Sequence, residues 1–388
     1  MNNLCFKNFS KIPFIYELKS TPHNDLGIPD NLPFKLTYDP KYGLIKQEYS
    51  VDVQEALVKG YKISSILGGN STNDEIGSAY TDSILGFIRS TINYSFEGLK
   101  VLDIGCGTGF LLHKLRSLGC DVYGIEPGKQ AKIGVEEYNL PIINDFFPSA
   151  QLDEDFDLVI SILVLEHIVK PEQFLSDIKK LLKSSGMIIL GVPNEEPYIS
   201  AGDISTLFHE HWNYFTPKSF DNFLRVNGAE NITISNSTYG GLLYASFSIS
   251  EKTDAELNIN LVENRREIQS YIEKIDHSTK KMKDFFDKYE KSKIGIYVPG
   301  RIVNFLISEN LDVSNIRFFD DDENSYGKYY PGINIPVENF TDLKTAQIDV
   351  ILVMSSFFGP MIKLKIAQQT DIKNDKIFIW EDFFSDLE

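Results

Sequence analysis

From about residue 99 the chain alternates short apolar runs with amphipathic stretches. LKVLDIG, DVYGIEP, FDLVISILV and GMIILGVP are near-continuous apolar segments of strand length, the pattern of strands buried on both faces. Between them FLLHKLRSLG, ending in Gly119, and PEQFLSDIKKLLKSSG carry apolar residues at helical spacing. Such alternation predicts a parallel sheet with helices on both faces. ITISNST and GLLYASFSIS follow and read as two antiparallel strands at the sheet edge. Ahead of this block a helix is predicted from Asn73 to Ile92, with Ile76, Tyr80, Ile84, Phe87 and Ile88 on one face. Residues 254–290 predict one or two long helices, in which Ile268, Tyr271, Ile275, Met282, Phe285 and Tyr289 recur among alternating charges. A second strand–helix unit comes last, through KIGIYVPG, RIVNFLISEN, IRFFDDD, DVILVMSS and KIFIW. Residues 1 to about 75 are expected to be irregular, because Pro13, Pro22, Pro29, Pro33 and Pro40 interrupt most candidate elements.

Composition narrows the classes. With 388 residues the chain has room for two or three cores. Its net charge of -17 repels a phosphate backbone, so binding to a nucleic acid polymer is not expected. Three cysteines, Cys5, Cys106 and Cys120, are too few for a disulfide framework or a four-thiolate cluster. The opening MNNLCFKNFSKIPF lacks the apolar core of a signal peptide, and no run of about 18 apolar residues occurs. A cytoplasmic protein with no membrane partner is the expectation.

The densest chemistry is VLDIGCGTG. Asp103 stands near a strand end, and Gly105, Gly107 and Gly109 occupy the turn into a helix. Glycine there lets the backbone turn sharply and lets a ligand approach closely. The spacing is G-x-G-x-G, distinct from the G-x-G-x-x-G dinucleotide fingerprint. Glu126 follows Gly109 by 17 residues, at the end of the next strand, where an acid can accept hydrogen bonds from both ribose hydroxyls. In the second unit Gly300 and Asp320 stand 20 residues apart, like half of a dinucleotide fold, but a single glycine marks that turn.

DIGCGTG, GIEP, FDLVISILVLEHI and GMIILGVPN occur in order over roughly residues 95–195, and here the chain resembles the class I S-adenosylmethionine-dependent methyltransferases. The resemblance implies S-adenosylmethionine as cofactor. Its methionine end would lie near Asp103 and Gly105, its ribose at Glu126 and its adenine near Asp145 and Phe146. Tyr80, in GSAY, would close over the cofactor with its ring near the sulfonium, or else be a core residue of its helix. Glu166 and His167 in LEHI stand at the mouth of the cofactor pocket in this fold, and packing is the expected role.

HEHWNYFT, from His209 to Thr216, lies beyond the fifth core strand. Three readings compete. A zinc site lacks further ligands and the H-E-x-x-H spacing, so no metal is assigned. A structural cluster is the second reading. The third, a proton-transfer site, is preferred, since histidine titrates near neutral pH and an adjacent carboxylate holds the ring.

His209, Glu210 and His211 with Tyr214 and Phe215, the Gly240–Gly241 turn, and the segments IGIYVPG, FFDDDENSYGKYYPGINIPV and DVILVMSS resemble the sugar C-methyltransferases that act on nucleotide-linked keto-deoxysugars. That resemblance covers about residues 60–388. It implies an α/β chain with a Rossmann-like methyltransferase core, an irregular N-terminal segment and a second, C-terminal Rossmann-like domain. The expected boundaries are 1–75, 76–250 and 251–388. It further implies a small-molecule acceptor, a nucleotide sugar, and catalysis by His211 as base with Glu210 and His209 in support. Two features depart from the family. Of its four-cysteine zinc module only Cys5 remains, with Tyr42 at one cysteine position, and its Y-x-Y-x-S-S pattern is only partly kept in YKISS from Tyr61. The alternatives are an O- or N-methyltransferase acting on a glycan or small metabolite, and a binding protein that holds the cofactor without turnover.

Overall fold

The computed structural model describes residues 4–15, 17–22, 27–63, 75–92, 95–152, 155–250, 261–356 and 358–384. The N-terminal segment, expected to be irregular, forms a sheet. Strands β1 (Leu4–Pro13), β2 (Asn31–Asp39) and β3 (Leu44–Gln47) pair antiparallel, and a helix, Val51–Ile63, follows. The prolines do not prevent this. Pro13 ends β1, and Pro33 falls where the β1–β2 register shifts between Phe9 and Ile12, a bulge in which no ladder donor is needed. Phe34, Leu36 and Tyr38 of β2 are buried. Tyr42 is buried too. It packs edge-on against Phe223 at 5.2 Å and donates its hydroxyl hydrogen to Glu172 at 2.8 Å. Cys5 lies in β1, and Ser64 and Ser65 of YKISS lie outside the described residues.

The central sheet agrees with the alternation. Its strands are β4 (Lys100–Ile104), β5 (Asp121–Ile125), β6 (Ile142–Ile143), β7 (Phe156–Ile162) and β8 (Leu182–Pro193), all parallel. Next in the chain comes β9 (Asn213–Tyr214), which belongs to the N-terminal sheet as the partner of β3. Strands β10 (Ala229–Asn236) and β11 (Leu242–Ile249) then close the central sheet antiparallel, in the order β10-β11-β8-β7-β4-β5-β6. The chain leaves β4 toward β5 on one side and returns to β7 on the other. That switch opens a crevice at the carboxyl ends of the strands, where open α/β sheets bind ligands. The helix Glu75–Thr91 covers one face through Tyr80, Ile84 and Ile88, packed with Val101 and Leu111. The helix after Pro171 stops at Lys180, because Leu182 already starts β8.

The region 254–290 holds one helix among the described residues, Leu261–Lys288. Beyond it β12 (Ile294–Tyr297), β13 (Ile316–Phe319), β14 (Val337–Glu338), β15 (Val350–Val353) and β16 (Ile377–Ile379) form a parallel sheet in the order β14-β13-β12-β15-β16. The fold is thus α/β, a Rossmann-like core followed by a second α/β unit. The N-terminal sheet has no core of its own. Phe9, Ile12, Phe34 and Leu36 pack in one cluster with Phe286, Ile294, Phe305 and Phe318. A single sheet whose outer strands β3 and β9 are four and two residues long buries too little apolar surface alone, and the C-terminal unit supplies the rest.

Candidate active site

The cofactor end is built where β4 and β5 stop. Gly105, Gly107 and Gly109 adopt φ of 76°, 57° and 77°, the left-handed region that favours glycine. A Cβ on Gly105 would stand 2.4 Å from a methyl of Val164, and one on Gly109 would stand 2.7 Å from Leu140. Glu126, at the end of β5, ties the turn. It accepts from the Gly107 amide at 3.1 Å, the Gly128 amide at 2.6 Å and the Gln130 side chain at 3.1 Å. Burial raises its carboxyl, and the two amides hold it down. Asp103 is buried in β4, and burial plus the charge of Glu126 push its carboxyl up to about 7. An acid with these neighbours is stabilised by an ammonium group, so the residues present fit the amino-acid end and the ribose of S-adenosylmethionine.

Beyond β6, Asp145 caps the Phe146 amide at 2.8 Å and accepts from Ser149 at 2.8 Å. Phe146 beside it is 64% exposed, an open apolar face just beyond β6. The fold therefore brings Asp103, the three glycines, Glu126, Asp145 and Phe146 along one rim. Tyr80 is buried in the same cluster as Cys106 of the glycine loop. Its ring also packs on the β10–β11 turn, where a Cβ on Gly240 would come within 2.9 Å of it.

The histidines separate into two environments. His209 faces the N-terminal sheet, 2% exposed, between the rings of Phe14 and Phe34 at 5.5 and 5.2 Å. Its ring nitrogens lie 3.2 Å from the Gln47 side chain and 3.3 Å from the Ile12 carbonyl, and burial lowers it to about 4. Gln47 also donates to the His209 carbonyl at 3.0 Å. His211 turns the other way, into the core crevice. Its ring lies 4.9 Å from that of His167 and 5.6 Å from Phe208. Burial, then the neighbouring His167, hold His211 well below its ordinary value.

Spacing along the chain holds no sign of the meeting between His211 and LEHI, 44 residues earlier. The backbone forces it. The Trp212 amide donates to the Glu166 carbonyl at 2.8 Å, and the Asn213 side chain donates to the carbonyls of Leu165 and Ile168 at 3.2 and 2.8 Å. The result is a buried wall rich in acids. Glu166, Glu195 and Glu210 are each 3% exposed or less. Burial pushes Glu166 and Glu210 up to about 8 and Glu195 to about 7, and the charge of Glu195 adds to the rise at Glu166 while that of Asp203 adds to the rise at Glu195. Among the described residues, both carboxylate oxygens of Glu166, one each of Glu195 and Glu210, and Nδ1 of His211 have no hydrogen-bond partner. Unpaired buried polar atoms cost about 1–3 kcal/mol each. So many on one wall mark a place that binds something polar. Val164, whose methyl abuts the Gly105 turn, puts this wall beside the glycine turn.

A Rossmann-like sheet with a glycine turn and a strand-end acid is the arrangement of the S-adenosylmethionine-binding methyltransferase domains. More particularly, residues 80–234 match the family described as "Methyltransferase domain", and the chain carries a class I methyltransferase domain whose cofactor is S-adenosylmethionine. Among curated proteins, the ubiquinone biosynthesis O-methyltransferase of Maricaulis maris is 35% identical over 28% of this chain and 50% of its own length. That of Bradyrhizobium diazoefficiens is 29% identical over 45% and 78%. The match thus spans half of the first relative and about three quarters of the second. Among solved structures, magnesium protoporphyrin IX methyltransferase from Synechocystis aligns at 19% identity over 47% of this chain and 90% of that one, with a TM-score of 0.36. An S-adenosylmethionine-dependent methyltransferase from Clostridium acetobutylicum aligns at 12% over 45% and 92%, with a TM-score of 0.35. Among the described residues no helix is long and apolar enough to cross a membrane.

Proposed function

We propose that this chain methylates a carbon atom of a nucleotide-linked keto-deoxysugar in the biosynthesis of a surface glycan or a secondary metabolite. The observation that carries the reading is the burial of His211 beside LEHI, with one ring nitrogen unengaged, at the methionine end of the cofactor site. The second α/β unit and its resemblance to the C-terminal domain of the sugar C-methyltransferases support the acceptor class. S-adenosylmethionine supplies an electrophilic methyl group on a sulfonium.

In this reading His211 draws off the proton next to the ketone of the acceptor. Glu210, kept protonated at neutral pH by burial, donates a hydrogen bond to the enolate oxygen, as a neutral buried acid can. The carbanion so formed would be the nucleophile for the methyl group that S-adenosylmethionine supplies with release of its thioether, and the proton leaves from the His211 ring. His209, buried between Phe14 and Phe34 beside the Ile12 carbonyl and Gln47, acts by holding the next two residues in place. The second α/β unit contacts the nucleotide or sugar of the acceptor.

A second reading is O-methylation of a small metabolite, favoured by the names of the curated relatives, which are O-methyltransferases. Deuterium separates the two. With S-adenosylhomocysteine in the cofactor site, an acceptor in deuterated water should gain deuterium on the carbon to be methylated, and His211→Ala should abolish that gain. Loss of a general base costs about 10²–10⁴-fold in turnover, while S-adenosylhomocysteine affinity should stay nearly unchanged. A methylated product bearing its methyl on oxygen would sink the carbon reading.

A further inference from the structure

We propose that Glu166, His167 and His211 bind one divalent transition-metal ion at the acceptor end of the site. One ligand atom of each lies within 4.8 Å of the others. The tautomer of His167 is dictated by its surroundings. Its Nδ1 stands 3.0 Å from the Glu210 carbonyl, and a carbonyl only accepts, so Nδ1 carries the hydrogen and Nε2 presents a bare lone pair. A ring that donates one N–H to a carbonyl while its other nitrogen faces outward is the usual arrangement of a metal-bound histidine. Here that nitrogen looks across 3.7 Å at Glu166 Oε1.

The two atoms are too far apart for a hydrogen bond, so nothing among the described residues satisfies either lone pair, and a cation between them would replace the proton that burial keeps on Glu166. Ligands held at about 2.0–2.2 Å from one ion stand roughly 3–4 Å apart, so the 3.7 Å pair already has the spacing. Glu166 has both oxygens free, and His211 adds a third donor with Nδ1 free. Glu195 and Glu210 deepen the negative surroundings, while Arg301 is set against Glu195 and Asp203. Two imidazoles and one carboxylate suit zinc, iron or manganese better than calcium or magnesium. The loops are anchored to each other through Trp212 and Asn213, so the ligands are largely in place before an ion arrives.

This inference rests on the reading of the wall as the acceptor end of the site. Three protein ligands leave a position open for an oxygen atom, and an ion polarises a ketone or hydroxyl held there. With the ion bound, His211 serves as its ligand in place of taking the acceptor proton itself, and the ion acidifies that proton by polarising the ketone.

The test uses the full chain without a histidine tag, stripped with a chelator and titrated with Co²⁺ followed by visible absorption. The expected result is close to one Co²⁺ per chain, displaced by Zn²⁺. Glu166→Gln, His167→Gln and His211→Asn should each weaken binding by at least about tenfold, and His277→Ala on the long helix should not. Wild-type protein that takes up no ion, or uptake that survives all three substitutions, overturns the proposal. S-adenosylhomocysteine binding is measured on every variant as a check of folding. Methyl transfer at full rate by metal-free protein would sink the ion and leave the methyltransferase reading intact. Failure to bind S-adenosylhomocysteine would sink that reading whatever the ion does.

Discussion

Replacing Glu126 by alanine tests the cofactor site most directly. Its carboxylate accepts three hydrogen bonds inside the protein, from Gly107, Gly128 and Gln130. A carboxylate has about four acceptor positions, so at least one remains for a ribose hydroxyl, and Gln130 can yield another. Each hydrogen bond to a charged group is worth roughly 1.5–3 kcal/mol. Loss of one ribose bond alone therefore predicts a fall in S-adenosylmethionine affinity of about tenfold or more, at 1.4 kcal/mol per factor of ten. Releasing the Gly107 amide loosens the turn as well, so the loss should exceed that minimum. Glu126→Gln should not restore affinity, because its NH₂ group would face amide donors. Calorimetry with S-adenosylmethionine and S-adenosylhomocysteine reads both variants. Affinity within about twofold of wild type in Glu126→Ala would refute the placement of the ribose.

Further predictions concern the turn, the buried acid and the HEH segment. Gly105→Ala should destabilise the protein by at least about 1–2 kcal/mol from its positive φ alone, since its Cβ would also meet Val164. An unchanged melting temperature would contradict this. Asp103 is raised from 3.8 to about 7, and at 1.36 kcal/mol per pH unit ionising it in the folded protein costs about 4 kcal/mol. Its stabilising contribution is therefore complete below pH 4 and is lost as pH rises to 7. Cofactor-free wild type should lose stability over that range relative to Asp103→Asn, and a constant difference in Tm would refute the assignment. His209→Ala removes a ring packed between two others and should cost about 3 kcal/mol. Normal stability with abolished turnover would instead give His209 a direct part in the chemistry.

The core methyltransferase unit was legible in the chain because its signals are local. Each apolar run buries both faces of one strand, and the glycine turn needs positive φ at Gly105, Gly107 and Gly109 whatever surrounds it. Glu126 is placed by the length of one strand–helix–strand unit. The N-terminal sheet was not legible. A register shift between Phe9 and Ile12 breaks the alternation that marks a strand, and part of its core comes from residues beyond 280. The acid–base wall was hidden for a related reason. His211 reaches Glu166 and His167 because a two-residue strand, Asn213–Tyr214, pairs with β3, and because Trp212 bonds the Glu166 carbonyl. A two-residue strand has no periodicity to read. His209 and His211 look equivalent in HEHWNYFT, yet the backbone turns one ring toward the N-terminal sheet and the other into the crevice. Only the long-range pairing decided which histidine meets Glu166 and His167.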